Sequence, residues 1–370
     1  RVEIGGNELG DECNLGNNVS FEQTPVRSTV TSTTVYLPLI LKNYPEPTEP
    51  PEPPTPLAWV SDVAVDPTTN QVFIASPRQD AVHVINGDLD EYDQSVPVGH
   101  GPTGLAVMTS TALSKVFAVH AYAYNDWTPG VWFIDSLSLV SHQMTDHNGY
   151  VGGAPVKVAA NSVTDRAFVS NYYDFMPILH GPSENLIKWV RKKNFQASYG
   201  LEVSQRNNLV YLAAIDTGEL VIFDGDWAEI TPDYGACHHA PPEARILRMV
   251  AVNEATGHVF VTSPPDPNKG QLDSKVFVLD EDTLLAETGG APSDTTCSWN
   301  FLNAGDVGIT AIPGPAWIKT LGLPGAVSAG KEGVAVNPVT GRVYVTDGEG
   351  DQLFVLQDSM TPTNISLVTT

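Results

Sequence analysis

The sequence predicts an all-β fold: a single β-propeller of six blades, each of four antiparallel strands, preceded by an extended N-terminal arm. Two observations carry this. A unit of three short apolar strands separated by turn residues recurs six times between residues 63 and 356, and the chain has essentially no apolar run of helical period. The cleanest copy is KEGVAVNPVTGRVYVTDGEGDQLFVL, residues 331–356, where strand, Asn-Pro turn, strand, Gly/Asp turn and strand follow one another.

In chain order, residues 1–44 form the arm. Residues 1–27 carry Gly, Asn and Glu with little periodicity, and GGNELGDECNLGNN, residues 5–18, reads as loop. Residues 28–44, STVTSTTVYLPLILKNY, are rich in β-branched side chains and read as one strand. Alternation puts Val35, Leu37, Leu39 and Leu41 on one face and Tyr36 and Ile40 on the other. Such a strand is an aggregation hazard unless it pairs with a sheet edge and is covered. Pro38, lacking an N–H, places it at an edge or at a bend.

Residues 45–56, PEPTEPPEPPTP, hold seven prolines in twelve positions. At about 3.1 Å per residue this linker favours a polyproline II rod of roughly 35 to 40 Å. A rod of that length can carry the apolar strand to a neighbouring molecule; the other reading is that the strand folds back on its own propeller.

The propeller spans residues 57–370. Its innermost strands start with Val63-Ala64-Val65, Leu105-Ala106-Val107, Val158-Ala159-Ala160, Leu201-Glu202-Val203, Val250-Ala251-Val252 and Val334-Ala335-Val336. Successive copies lie 42 to 53 residues apart, with one interval of 84. A blade cannot cover both of its faces alone, so blades pack in a ring around an axis. Second and third strands follow each first strand at similar spacing, as in Val343-Tyr344-Val345-Thr346 and Leu353-Phe354-Val355-Leu356. Outer strands are expected at residues 95–98, 139–144, 186–191, 227–230, 317–321 and 365–368. The last expectation lets the C-terminus complete the final blade, with no strand borrowed across the ring. The long interval and the N-terminal strand leave room for a seventh blade.

Residues 334–356, with GVAVNPVTGRVYVTD, resemble a repeat of the YVTN family of propellers and more loosely the NHL and lactonase-like propellers. Val343-Tyr344-Val345-Thr346 stands where that family carries its YVTN strand, with Asp347 replacing the final Asn. Phe168-Val169-Ser170-Asn171 is the other close match. The resemblance implies the fold and secretion or surface display, not a reaction.

Composition narrows the function. Nineteen Lys and Arg against 43 Asp and Glu give a net charge of −24, which repels nucleic acid and anionic lipid. No run approaches the length of a membrane span, and the chain begins at Arg1 without Met, as a processed exported protein does. Three cysteines, Cys13, Cys237 and Cys297, exclude a disulfide scaffold, and no C-x-x-C occurs. Cys237 and Cys297 fall in loops of neighbouring blades, which makes a disulfide between them geometrically reasonable; two free buried thiols are the alternative.

No nucleophile motif, metalloprotease motif or phosphate-binding Gly loop is present, so no catalytic residue is assigned. Loop histidines His100, His120, His142 and His180 read as surface residues. Cys237-His238-His239 lacks the convergent ligands of a zinc or copper site. No cofactor is implied; Asp266, Asn268 and Asp273 are weak Ca²⁺ candidates, because their alternating oxygen donors lack a terminal bidentate Glu.

The leading expectation is a secreted, non-catalytic propeller that polymerises with other copies of itself. Strand residues Val35, Tyr36, Leu37, Leu39, Ile40 and Leu41 would be donated to a neighbour, forming an extracellular filament or surface layer. The alternatives are a glycan- or peptide-binding propeller using Tyr122, Tyr124, Trp127, Tyr172 and Tyr173, and a lactonase- or lyase-like enzyme.

Overall fold

The computed structural model describes residues 23–27, 34–38, 60–110, 114–120, 130–172, 175–191, 198–215, 217–226, 237–239, 241, 246–267, 271, 273–289, 316–326, 333–347, 349–359 and 365–369. The chain divides into two compact units, residues 1–56 and 57–370.

In the first unit, β1 (Gln23–Arg27) pairs antiparallel with β2 (Thr34–Pro38), from Gln23 opposite Pro38 to Arg27 opposite Thr34. The strand Gln23–Arg27 was not expected from the sequence, and residues 5–18, read as loop, lie outside the described residues. Of the apolar strand expected at 28–44, residues 34–38 are described, and they have a partner within the chain. The physical reason is that a lone strand leaves its backbone donors and acceptors unpaired, and the nearest segment able to satisfy them is the one just before it. Pro25 and Pro38 are tolerated because each strand of a two-stranded sheet has an open edge.

The second unit holds six four-stranded antiparallel sheets, the blades of a β-propeller, each with its strands in sequence order. Blade 1 is β3 (Asp62–Asp66), β4 (Gln71–Ser76), β5 (Ala81–Asn86) and β6 (Glu91–Pro97). Blade 2 is β7 (Pro102–Thr109), β8 (Ser114–His120), β9 (Gly130–Asp135) and β10 (Ser141–Gln143). Blade 3 is β11 (Pro155–Asn161), β12 (Arg166–Asn171), β13 (Phe175–His180) and β14 (Asn185–Arg191). Blade 4 is β15 (Ser198–Val203), β16 (Leu209–Ala214), β17 (Leu220–Asp224) and β18 (Cys237–His239). Blade 5 is β19 (Val250–Asn253), β20 (His258–Ser263), β21 (Lys275–Asp280) and β22 (Trp317–Gly322). Blade 6 is β23 (Val334–Asn337), β24 (Arg342–Asp347), β25 (Gln352–Gln357) and β26 (Ser366–Thr369). The sixth blade is thus completed by its own fourth strand.

Two assignments change. The outer strand of blade 4 is β18, placing Cys237 in a strand that pairs with β17 rather than in a loop; residues 227–230 lie outside the described residues. The long interval before the last repeat opens with a helix, α1 (Glu281–Thr288), capped by Asp280, whose side chain accepts from the Thr283 N–H, and by left-handed Gly289. It docks through Glu281, which is buried and accepts from the Tyr211 hydroxyl at 2.7 Å and from Asn207 at 2.5 Å. Burial pushes the Glu281 carboxyl above its ordinary range, opposed by the hydrogen bonds from Tyr211, Asn207 and the Ser204 hydroxyl.

The turns after the inner strands of blades 1, 3, 5 and 6 repeat one device. The side-chain oxygen of Asp66, Asn161, Asn253 or Asn337 accepts from the backbone N–H two residues on, at 2.8 to 3.1 Å. Four residues after it sits a left-handed residue, Asn70, Asp165, Gly257 or Gly341. The Asn-Pro-x-x-Gly signature of the sequence is the chemistry of this turn.

Side chains at the first and third positions of an inner strand face the preceding blade, and the second position faces the next. Inner strands approach closely at Gly104, where a Cβ would lie 2.8 Å from both Lys157 Cα and Val156 O in blade 3. Gly104→Ala is therefore expected to destabilise the propeller by about 1–3 kcal/mol in urea unfolding; an unchanged midpoint would show that this contact is not tight.

Candidate assembly site

Of the donor-strand residues expected from the sequence, Val35, Tyr36 and Leu37 lie in β2, opposite Val26, Pro25 and Thr24. Leu39, Ile40 and Leu41 lie outside the described residues. A hairpin of two five-residue strands is marginal on its own in water and needs a third strand or a packing surface.

Five buried apolar clusters join blades 1 and 2, 2 and 3, 3 and 4, 4 and 5, and 5 and 6. Among the described residues, no sixth cluster joins blade 6 to blade 1, although a sealed ring of six blades requires one. The side chains confirm this position by position. Leu105, Val158, Leu201 and Val250 face the preceding blade and are at most 6% exposed, whereas their counterpart Val63 in blade 1 is 52% exposed and Val65 is 53% exposed. Facing the following blade, Phe73, Phe117, Phe168, Tyr211 and Phe260 are fully buried. Their counterpart in blade 6, Tyr344, is only partly covered. Leu353, aligned with the fully buried Val82, Val131, Leu220 and Val276, is 47% exposed. The seam between blades 6 and 1 is thus covered in part: Ile74 and His83, on the same face as Val63, and Val355, on the same face as Tyr344, are buried, while Val63, Val65 and Leu353 stay about half exposed.

At the inner strands of blades 1 to 4, the Lys157 ammonium meets Asp62 at 2.5 Å, and Asp62 also accepts from the Leu105 N–H at 2.8 Å. Glu202 lies close by, and burial pushes its carboxyl up to about 7, with the Val203 N–H and Lys157 pulling it partly back. His120 is buried with no hydrogen-bond partner for either ring nitrogen, and burial lowers it to about 4. It is not the surface residue expected from sequence. His142 is exposed and pairs with Glu184 at 2.6 Å, His180 is bonded to Ser183, and His100 pairs with Asp80.

Asp266 is buried in a backbone bridge to Gln271, Asp273 is exposed, and Asn268 lies outside the described residues. Among the described residues no three acidic, His or Cys side chains converge as metal ligands, and Cys237 is the one cysteine described, so the expected Cys237–Cys297 pair lies partly outside them. Cys13 and Cys297 lie outside them, as do Tyr122, Tyr124, Trp127 and Tyr173. The missed feature is the half exposure of Val63 and Val65 at the seam between blades 6 and 1. Its signal is absent from the sequence, because Val63 and Val65 read like every other inner strand.

No protein-family model matches the chain, and no curated protein matches it. Its fold is similar to that of solved structures. A chain of Kuenenia stuttgartiensis hydrazine synthase aligns with TM-score 0.59 at 10% identity, covering 82% of this chain and 84% of that one. U3-55K aligns with TM-score 0.57 at 10% identity, covering 84% and 80%. The WD40 repeats of RRP9 align with TM-score 0.56 at 10% identity, covering 84% and 79%. At such identity the likeness concerns the β-propeller fold alone.

Two outcomes follow. Phe168→Ala should cost about 3–5 kcal/mol in denaturant unfolding, and Tyr344→Ala far less; equal losses would mean the seam is sealed. Because the folded carboxyl of Glu202 titrates near 7 and its ordinary value is 4.5, its ionisation penalty is absent below pH 4.5 and complete above about pH 7. Glu202→Gln should thus stabilise the protein at pH 8, by on the order of 1–3 kcal/mol, with no gain at pH 4; a gain equal at both pH values would contradict this.

Proposed function

We propose that this chain is a secreted, non-catalytic propeller of YVTN type that assembles with copies of itself by donating its N-terminal strands. The observation that carries this reading is a surplus: each of the six blades already has four strands of its own, the last included, and one further β-module, β1–β2, belongs to none of them. Two supports come from the sequence. The apolar run through Val35, Leu37, Ile40 and Leu41 demands cover, and the proline-rich linker is built as a spacer.

Main-chain pairing supplies affinity in such a contact, and pockets for alternate side chains supply register. Donation from one copy to the next is head to tail, and a head-to-tail contact that does not close into a ring propagates as a filament. A net charge of −24 disfavours unspecific association, so the contact must be specific.

Sedimentation velocity and electron microscopy of the full chain and of a chain lacking residues 1–44 test this. The full chain should form polymers and the shortened one a folded monomer with the same β-sheet circular dichroism. If the shortened chain forms the same polymers, the reading is wrong.

A further inference from the structure

We propose that an aromatic platform on the outer rim between blades 2 and 3, formed by Tyr150 and Trp189 with Asp146 and His147 beside them, binds an uncharged saccharide. The site lies within the propeller and is independent of the assembly reading above.

Two elements build the platform. The connection from blade 2 to blade 3 folds into a 3-10 turn, Asp146–Gly149, with Tyr150 directly after it. The outer strand of blade 3, β14, supplies Trp189. The pairing of β13 with β14 shifts register between Ile178 and Leu179, the mark of a β-bulge, and beyond it Trp189 lies opposite Pro177. The next residue, Val190, is buried in the cluster shared with blade 4, so Trp189 turns the other way, toward blade 2. There its ring lies 5.8 Å from that of Tyr150, at 40°, and 6.4 Å from that of His147, at 81°.

The fold does not require a tryptophan at this place. The same register position is Ser95 in blade 1, Gln143 in blade 2, His238 in blade 4 and Thr320 in blade 5. Four blades are completed there by a polar side chain, and blade 3 alone of the five carries a large apolar ring. Nor does the cluster belong to the core: Tyr150 is 41% exposed, the His147 side chain 54% and that of Asp146 32%, and Trp189 is only partly covered.

The chemistry left open selects the ligand. An aromatic face is the negative side of the ring quadrupole and attracts the weakly positive C–H face of a pyranose. The hydroxyls around that pyranose need both donors and acceptors. The Tyr150 hydroxyl makes no hydrogen bond, and Asp146 Oδ1 has His147 Nε2 near it only at 3.7 Å. A hydroxyl, a carboxylate and an imidazole thus stand around two apolar rings. A carboxylate at the site, on a chain of net charge −24, repels uronate and sulfated sugars and favours uncharged ones.

These groups are held in place in the free protein. The other Asp146 oxygen accepts from the Leu186 N–H at 2.9 Å, which ties the turn to β14. Tyr150 bridges to Gly130 on β9 and donates its N–H to the His147 carbonyl at 3.1 Å. Leu186 packs against the apolar cluster of blades 2 and 3. Ordered aromatic side chains give up little conformational freedom when a ligand settles on them.

The test applies the full chain to an array of neutral and acidic oligosaccharides and titrates each hit by calorimetry. At least one neutral oligosaccharide should bind. Trp189→Ser, which installs the residue of blade 1, and Tyr150→Ala should each weaken that binding about tenfold or more. Trp189→Tyr, which keeps an aromatic face, should stay within about threefold of the parent. Thermal melting reports whether each variant is folded. Independently of any variant, hydroxyl-radical footprinting of the parent should show Tyr150 and Trp189 protected by the bound sugar.

Binding of no neutral oligosaccharide would overturn the proposal, as would binding confined to uronate or sulfated sugars. So would neutral-sugar binding that leaves both rings unprotected and survives Trp189→Ser and Tyr150→Ala unchanged. If no sugar binds and Trp189→Ser instead changes the sedimentation of the full chain, the platform is a protein contact and the proposal is equally wrong. None of these outcomes bears on assembly through the arm, which is read by removing residues 1–44.

Discussion

The whole structure depends on how a four-stranded sheet with two apolar faces hides both of them. A blade has no polar face to turn to water, so each sheet needs a sheet on either side, and burial between successive blades is the main force that orders the ring. Aromatic residues at one repeated position, Phe73, Phe117, Phe168, Tyr211 and Phe260, fill five such spaces completely. Hydrogen bonds set the details: Asx turns at one end of the inner strands, Lys157–Asp62 near the axis, and Asp358 holding His258 at 2.7 Å between blades 5 and 6. None of these polar contacts substitutes for an apolar cluster, and among the described residues none joins blade 6 to blade 1.

The inner three strands of each blade are legible in the sequence because they are buried on both faces and read as short apolar runs bounded by Asn, Asp, Gly and Pro. Outer strands are less so. In blade 1 the strand Glu91–Pro97 is mostly polar, because one side meets water, and it starts earlier than the apolar pattern suggests. In blade 4 the strand Cys237–His239 is three residues long and follows a long connection. The strand Gln23–Arg27 is hidden for another reason: with Pro25 at its centre and Val26 its lone apolar side chain, it carries almost no strand signal, and it exists because β2 needs a partner.

The candidate site was half legible. An apolar strand beside a proline-rich spacer stands out in a chain otherwise made of repeats, and it points to a contact. The half exposure of Val63 and Val65 does not stand out, since Val63-Ala64-Val65 matches its counterparts in the other blades. Whether such residues are buried is decided by the closure of the ring, which is a property of six sheets together and of no single segment. His120 shows the same limit at one residue, a histidine at a strand end whose burial depends on the blades around it.

Electron cryomicroscopy of the assembled full-length protein tests the central claim most directly. The account predicts that the N-terminal strands of one molecule pair with the neighbouring molecule at every junction of the assembly. Single propellers, or assemblies whose junctions do not include residues 34–38, would contradict it.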